Sequence, residues 1–322
     1  MENNFFNIHR AKEVLGNLEK IVTVKDGIIF EKDDVTPHTK EELFNGNNLD
    51  IQKLLSGRHP HLFIISANSN VAYALLNTLV GKEDYAKDTL EKIESELKEK
   101  NGLISDIGFG SHKLETNALY GLLKYALGQK NEAYEIAEKI FDTIPKVDYY
   151  EDSKLENRAK PKQKNIKTIE KNTLFYPYTN TTNRIDSNDN ALYASLNFLL
   201  GNVQTAKNMQ ESIRTIIGNY EIMSPVSYGF SKCLRKTNLI NNESSGFQKD
   251  IKTSSNASFM LLNSLFGNHE ENNKIMSDLK ELVPHSYETK LFYQGNRING
   301  FDVKTNLLLG IFYASDKFNK NT

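Results

Sequence analysis

One plan recurs five times along this chain and limits what it can fold into. A small polar residue is followed by Asn and a run of apolar or small residues, and all copies but the last close on glycine. The copies are Ser69-Asn70 to Gly81, Thr116-Asn117 to Gly128, Asp189-Asn190 to Gly201, Ser255-Asn256 to Gly267, and Thr305-Asn306 onward. Ser, Thr and Asp are good helix N-caps, so each helix is expected to start at the residue before its Asn. The glycines stand where a helix ends in a left-handed residue, which glycine adopts without strain. Between cap and glycine there is almost no polar face, and a helix that is apolar nearly all round is buried.

A different helix follows most of the glycines. Segments 83–97, 131–144, 203–217 and 269–282 carry apolar residues at helical spacing among Lys, Glu and Asn, the pattern of a surface helix with one face inward. Each pair is therefore a hairpin of a buried inner helix and an amphipathic outer helix. A third piece comes after the outer helices. Lys25-Asp26-Gly27-Ile28-Ile29 resembles Lys100-Asn101-Gly102-Leu103-Ile104, with Asn172-Thr173-Leu174-Phe175-Tyr176 and Lys290-Leu291-Phe292-Tyr293 as looser relatives. A glycine turn before β-prone residues suggests a short strand or hairpin. The chain opens on an outer-type helix at about 5–22 and ends on an inner-type one at 305–318. If the first and last helices pair, the repeats close into a ring.

The copies are unequally spaced, which argues against an open solenoid. Variable loops on a fixed frame suit a ring with one functional face. The expected fold is all-α: an (α/α) toroid of five or six helical hairpins with short β turns at one rim, in a single domain over residues 1–322. Segment 145–185 is lysine-rich and apolar-poor, which marks it as a surface insertion or a lid. Segment 222–253 reads as ordered but irregular. The region 33–61 contains candidates for short helices at 40–44 and 49–55, and with them for a degenerate sixth inner helix.

Composition narrows the function classes. Lys+Arg 40 against Asp+Glu 41 gives no basic field for nucleic acid. The single cysteine, Cys233, excludes a disulfide framework and a cysteine-rich zinc site. No apolar run approaches the ~18 residues of a membrane span, and the start of the sequence has no signal-peptide pattern, so a soluble cytoplasmic protein is expected. His59-Pro60-His61 lacks further ligands nearby, and neither metal nor other cofactor is expected. The sequence leaves the oligomeric state open. Trp 0 leaves the Tyr and Phe side chains to supply any stacking surface for a sugar.

Capped Asn-Ala-Leu-Tyr helices ending in glycine and alternating with amphipathic helices resemble the (α/α) toroids of the six-hairpin glycosidase-like proteins: glycosidases, sugar epimerases and polysaccharide lyases. The resemblance covers the chain from about residue 68 onward. It implies a central cleft that receives acidic residues from loops such as Asn101-Gly102-Leu103-Ile104-Ser105-Asp106 and Arg184-Ile185-Asp186-Ser187-Asn188-Asp189-Asn190. The sequence departs from that pattern in showing five clear copies and no tryptophan. Terpenoid-cyclase and prenyltransferase toroids share the architecture, but their Asp-x-Asp-Asp acid is absent.

Positions zero, three and seven after the cap share a helix face. They read Asn70/Tyr73/Asn77, Asn117/Tyr120/Lys124, Asn190/Tyr193/Asn197, Asn256/Phe259/Asn263 and Asn306/Leu309/Tyr313. This polar stripe either ties neighbouring segments together or lines a central funnel, with Asn190 and Tyr193 as substrate contacts in the second case. Carboxylates at the helix mouths are Asp106, Glu115, Asp186, Asp189, Asp250 and Asp302. Glycoside hydrolysis uses two carboxyl groups roughly 5–9.5 Å apart. Asp106 and Asp186 are chosen because apolar neighbours (Ile104, Ile107 and Ile185) can raise a pKa, while Asp189 reads as the cap of its helix. His112, on the Asp106 loop, is the candidate general acid or base. Tyr176, Tyr178, Tyr228, Phe230 and Tyr293 are candidates for stacking on a sugar, or pack the loops. Arg184, Arg235 and Arg297 suit a carboxylate or phosphate, or pair on the surface.

The function expected is a carbohydrate-active enzyme, a glycoside hydrolase acting on a small-molecule or oligosaccharide substrate. Two rivals are a toroid enzyme for prenyl or terpenoid substrates, and a non-catalytic helical scaffold whose lysine-rich loop binds an acidic partner.

Overall fold

The computed structural model describes residues 7–25, 28–30, 66–106, 111–147, 173–179, 185–216, 219–223, 234–240, 252–283, 291–292 and 302–319. All five Asn-marked segments are helices. In chain order, α1 (Ile8–Ile21) precedes the first inner helix α2 (Ala67–Leu79) and its outer partner α3 (Glu83–Leu97). The next pairs are α4 (Leu114–Ala126) with α5 (Lys130–Thr143), and α6 (Ser187–Leu199) with α7 (Val203–Ile216). Then come α8 (Thr253–Leu265) with α9 (His269–Leu282), the inner helix α10 (Val303–Tyr313) and the terminal turn α11 (Asp316–Asn319). Every residue of α2, α4 and α8 is buried. The expected glycine stops are present, with Gly81, Gly128, Gly201 and Gly267 all at positive φ.

The inner helices form a closed ring. Helices α2, α4, α6, α8 and α10 each pack on the next, α10 packs on α2, and α1 covers α10 as its outer partner. Two glycines show that the closing seam is built like an internal one. A Cβ on Gly121 of α4 would lie 2.5 Å from Leu196 Cδ2 of α6, and one on Gly310 of α10 would lie 2.7 Å from Leu76 Cδ2 of α2. Both glycines stand four residues after their marker Asn, and both leucines six after theirs. The last helix therefore meets the first as the second meets the third, so the described residues close a ring on five inner helices.

The marker Asn is a clamp. Asn117 Oδ1 accepts from Ile104 N at 2.8 Å, and its Nδ2 donates to Ile104 O and to Lys113 O, each at 3.0 Å. Asn70 holds Ile29 and Ser66, Asn190 holds Phe175 and Asp186, and Asn306 holds Phe292 and Asp302 with the same three bonds. Ile29, Ile104, Phe175 and Phe292 lie in the third piece of the repeat, and Ser66, Lys113, Asp186 and Asp302 at the start of the inner helix itself. The Asn side chain supplies the bonds that a neighbouring strand would give. Short pairings flank it. Strand β1 (Thr23–Lys25) pairs with β2 (Ile28–Phe30), and Lys98 and Lys146 bridge Ile104 and Phe175. The two-residue strands β3 (Ser105–Asp106) and β4 (Ser111–His112) pair as well. Strand β5 (Asn219–Met223), which runs into the segment 222–253 expected to be irregular, pairs antiparallel with β6 (Leu234–Ile240) inside it.

The clamp also corrects the expected caps. Each inner helix begins three residues before its Asn, because the Asn main-chain N–H and Nδ2 both bond the carbonyl four residues upstream. The N-caps are thus Ser66, Lys113, Asp186, Lys252 and Asp302. Asp186 caps α6, with Oδ1 2.9 Å from Asn188 N, and Asp189 lies inside the first turn. The proposed short helices at 40–44 and 49–55 lie outside the described residues, as does 148–172 of the lysine-rich insertion.

Removing a clamp leaves a buried N–H and C=O unpaired, at roughly 1–3 kcal/mol for each group. Asn117→Ala is therefore expected to lower the unfolding free energy by about 2–5 kcal/mol in urea denaturation. A loss under about 1 kcal/mol would mean that water replaces the side chain.

Candidate active site

Residues two apart on a helix are separated by about 200° around its axis. With each marker Asn facing its outer segment, the residue two before it faces the lumen. In chain order that position holds Asn68, Glu115, Asn188, Ser254 and Lys304. Four of these meet on one carboxylate. Glu115 Oε2 accepts from Asn68 Nδ2 at 2.8 Å and pairs with Lys113 Nζ at 2.7 Å. Oε1 accepts from Asn188 Nδ2 at 2.7 Å and pairs with Lys304 Nζ at 3.0 Å. Ser258 Oγ donates to Asn188 Oδ1 at 2.7 Å and brings in α8. A group reached from α2, α6 and α10 together lies in the lumen, at the N-terminal mouth of the ring.

Glu115, Asp186, Asp189 and the α10 cap Asp302 all sit at this mouth, in different surroundings. Glu115 is fully buried. Burial opposes its charge, but Lys304 and Lys113 outweigh that and hold it well below the usual carboxylate range. Asp189 is 2% exposed. Burial first, then the charges of Asp186 and Glu115, push its pKa well above the ordinary value. Asn188 Nδ2 lies 3.2 Å from Asp189 Oδ1, while Oδ2 has no partner among the described residues. Asp186 is partly exposed and is pushed up by burial and then by Glu115. The two lysines favour the charge on Glu115, and burial disfavours it on Asp189.

The expected site residues separate into groups. Asp186 is at the mouth. Asp106 lies in β3, paired with Ser111, and its side chain is outside the described part. His112 is buried in β4, with Nε2 2.8 Å from Asn101 Nδ2 and 3.3 Å from Glu99 Oε2, and its main chain bonds Thr179. Its side-chain contacts, Asn101 and Glu99, are within the loop, but the next residue, Lys113, reaches Glu115. Tyr178 adjoins the mouth, its ring centroid 5.8 Å from Lys113 Nζ. Tyr176 packs on the core and its N–H bonds Pro145 O. Tyr228 and Arg184 lie outside the described residues, and for Arg235 only its place in β6 is described.

Asn190 and Tyr193 are corrected. Asn190 spends its amide on Phe175 and Asp186, and Tyr193 OH donates to Ala137 O of α5 at 2.9 Å. The whole stripe faces outward. Tyr73 bonds Glu19 of α1, Tyr120 bonds Glu94 of α3, Arg214 of α7 lies over the Phe259 ring, and Tyr313 contacts Met276 of α9. Each inner helix thus grips the outer helix of the preceding hairpin. The mouth residues Asn68, Lys113, Asn188 and Lys304 were missed, although for all but Lys113 the signal is in the repeat itself. The position two before the Asn is polar in all five copies and carries both Glu and Lys.

No protein-family model and no curated protein matches the sequence. Among solved structures, the chain is similar to an endo-β-1,4-glucanase from Acetobacter xylinum, with TM-score 0.53 and 9% identity over 97% of this chain and 100% of that one. It is also similar to a family 76 glycoside hydrolase (mannosidase) from Bacteroides thetaiotaomicron, with TM-score 0.51 and 10% identity over 96% of this chain and 81% of that one. The fold is that of the (α/α) toroid glycosidases. At this identity the likeness concerns architecture. Among the described residues no helix is long and apolar enough to cross a membrane, and no three metal-ligating side chains cluster.

The mouth has opposite pH signatures at its two buried acids. In the folded chain burial and the charges of Asp186 and Glu115 raise the pKa of Asp189, whereas the unfolded chain releases the proton near the usual value of about 3.9. Its stabilising contribution is thus present below that value and lost as pH rises through the folded pKa. Asp189→Asn is expected to melt above the parent protein at pH 7, by a margin larger than at pH 4, in thermal scans. Equal margins would place the proton elsewhere. Glu115 behaves in reverse: its stabilisation is present above the unfolded value and lost as pH falls through the depressed folded one. Glu115→Gln leaves Lys113 and Lys304 without their counter-charge, so a loss of about 3–5 kcal/mol at pH 7 is expected in urea denaturation.

Proposed function

We propose that the protein is a glycoside hydrolase working at the N-terminal mouth of its inner-helix ring. The feature that supports this is the difference in setting between two neighbouring carboxyl groups on one helix. Asp189 is buried and pushed well above the ordinary carboxylate value, while Asp186, which caps the same helix and is also pushed up, is more exposed. Hydrolysis of a glycosidic bond calls for such a division: one carboxylic acid gives a proton to the leaving oxygen, and a carboxylate activates water or attacks the sugar. In this reading Asp189 is the acid and Asp186 the base or nucleophile. Glu115 is a positioning residue, since its oxygens are engaged by two amides and two ammoniums. Asp106, on the β3–β4 hairpin, is the alternative partner for Asp186, with His112 beside it. Tyr178 offers a ring face at the mouth for an oligosaccharide. A lumen lined by Glu, Lys and Asn does not suit a prenyl chain, which needs an apolar, aromatic cavity.

The test is reducing-sugar release from a panel of α- and β-linked oligosaccharides by the parent protein and by Asp189→Asn, Asp186→Asn and Asp106→Asn. Loss of the acid is expected to lower kcat by about 10²–10⁴-fold, with thermal melts confirming the fold. Full activity in both Asp189→Asn and Asp186→Asn would overturn the assignment of roles. No release from any glycan would overturn the hydrolase reading.

A further inference from the structure

The position just before the marker Asn is a slot for a small hydroxyl group. It holds Ser69, Thr116, Ser255 and Thr305, all buried, and a carboxyl group only in α6, at Asp189. Asp189 and Leu196 lie on one face of α6, since they are two turns apart. Leu196 is the side chain that meets Gly121 of α4. Asp189 therefore opens the α4–α6 seam at the mouth of the ring. The other seams close around a hydroxyl, so packing alone does not call for a carboxyl group here.

Among the described residues the Asp189 side chain has one hydrogen-bond partner, Asn188. The Asn188 amide has two N–H groups. One meets Glu115 Oε1 at 2.7 Å and the other is directed at Asp189 Oδ1 at 3.2 Å. The amide oxygen accepts from Ser258 Oγ at 2.7 Å. This amide has one favoured orientation. An ionised carboxylate only accepts, and Lys113 and Lys304 hold Glu115 in that form at 2.7 and 3.0 Å. Turned over, Asn188 would set its oxygen against that charge. A carboxylic acid accepts through its carbonyl oxygen and carries its hydrogen on the other. With Oδ1 taken by Asn188, the hydrogen falls on Oδ2, a buried oxygen that has no partner among the described residues.

We propose that Asn188 is a positioning residue: gripped by Glu115 and Ser258, it fixes Oδ1 of Asp189 and leaves Oδ2 as the oxygen that gives its proton to the substrate. The inference rests on the reading of Asp189 as the acid for the chemistry, and on hydrogen bonds for the orientation. As the glycosidic C–O bond breaks, its electron pair goes to the leaving oxygen, which takes the Oδ2 proton. The carboxylate left on Asp189 keeps the Asn188 N–H bond, and a hydrogen bond to the charged form favours it. The other groups acting on Asp189 are Glu115 and Lys113 of α4, Lys304 of α10 and Asp186 of its own helix.

The leaving group separates lost acid catalysis from general damage. An alkoxide needs a proton to depart, whereas dinitrophenolate leaves without one. The parent protein, Asn188→Ala and Ser258→Ala are compared on alkyl and dinitrophenyl glycosides of the sugars in the panel above, with thermal melts alongside. Asn188→Ala is expected to lower kcat/KM by about 10–10²-fold on the alkyl glycoside and by less than about threefold on the dinitrophenyl one. Ser258→Ala, which leaves both amide N–H bonds in place, should show the same pattern more weakly and serves if Asn188→Ala does not fold. Equal losses on the two glycosides overturn the inference, as do parental rates on both. Carboxyl-carbon NMR of aspartate-labelled chain reads the same contact without turnover, the Asp189 signal being the one missing in Asp189→Asn. Loss of the N–H donor is expected to move the Asp189 midpoint upward, and an unchanged midpoint overturns the inference. A moved midpoint with no glycoside cleaved overturns the hydrolase reading and leaves Asn188 as the residue that orients Asp189. Glycosides cleaved with no response to Asn188 or Ser258 leave the hydrolase and overturn this inference.

Discussion

Glu115 is a buried carboxylate to which four of the five inner helices contribute directly, and the fifth is tied in through Ser258 and Asn188. Taking such a charge out of water costs several kcal/mol before any partner is found. Two ammoniums and two amides offset that cost only if all the helices present the same position to the lumen. A single helix rotated by one residue would move its contribution by about 100° and leave the charge short of a partner. The network therefore fixes the rotational register of the ring as well as its closure.

A second set of bonds works on the opposite face. The marker Asn residues hold the turns that follow the outer helices, and the aromatic residues three positions on reach the outer helix of the preceding hairpin. Polar side chains on an otherwise apolar helix thus do two jobs, one radial and one axial. Because α1 receives Tyr73 just as α3 receives Tyr120 and α5 receives Tyr193, the chain's first helix belongs to its last hairpin. The lumen is left to the charged groups, and their surroundings push the pKa of Asp189 up and hold that of Glu115 down. That separation is the chemical opportunity of the mouth.

Much of the frame was legible because its signals are local. A glycine at positive φ, an apolar run with no wet side and an amphipathic partner helix are each set within one helix or turn, and Gly81, Gly128, Gly201 and Gly267 ended their helices as read. Ring closure was legible from the pairing of an opening outer-type helix with a closing inner-type one. The caps were misread by three residues because Asn bonds the carbonyl four back, a contact invisible in a list of cap preferences. That exchanged the parts of Asp186 and Asp189: the residue taken for a cap is a buried acid, and the residue taken for an acid is also the cap.

The sequence by itself determined the helices, their pairing and the presence of polar stripes at fixed positions. Only the tertiary structure decided which stripe faces the axis, because a helix that is apolar on every side has no intrinsic inside. Asn190 and Tyr193 face outward, since the segments they bond, 174–176 and α5, wrap the ring from outside. Glu115, Asn188 and Lys304 face inward by the same rotation. Lys304 is 189 residues from Glu115 in the chain, and a contact between residues so far apart exists only once the ring has closed.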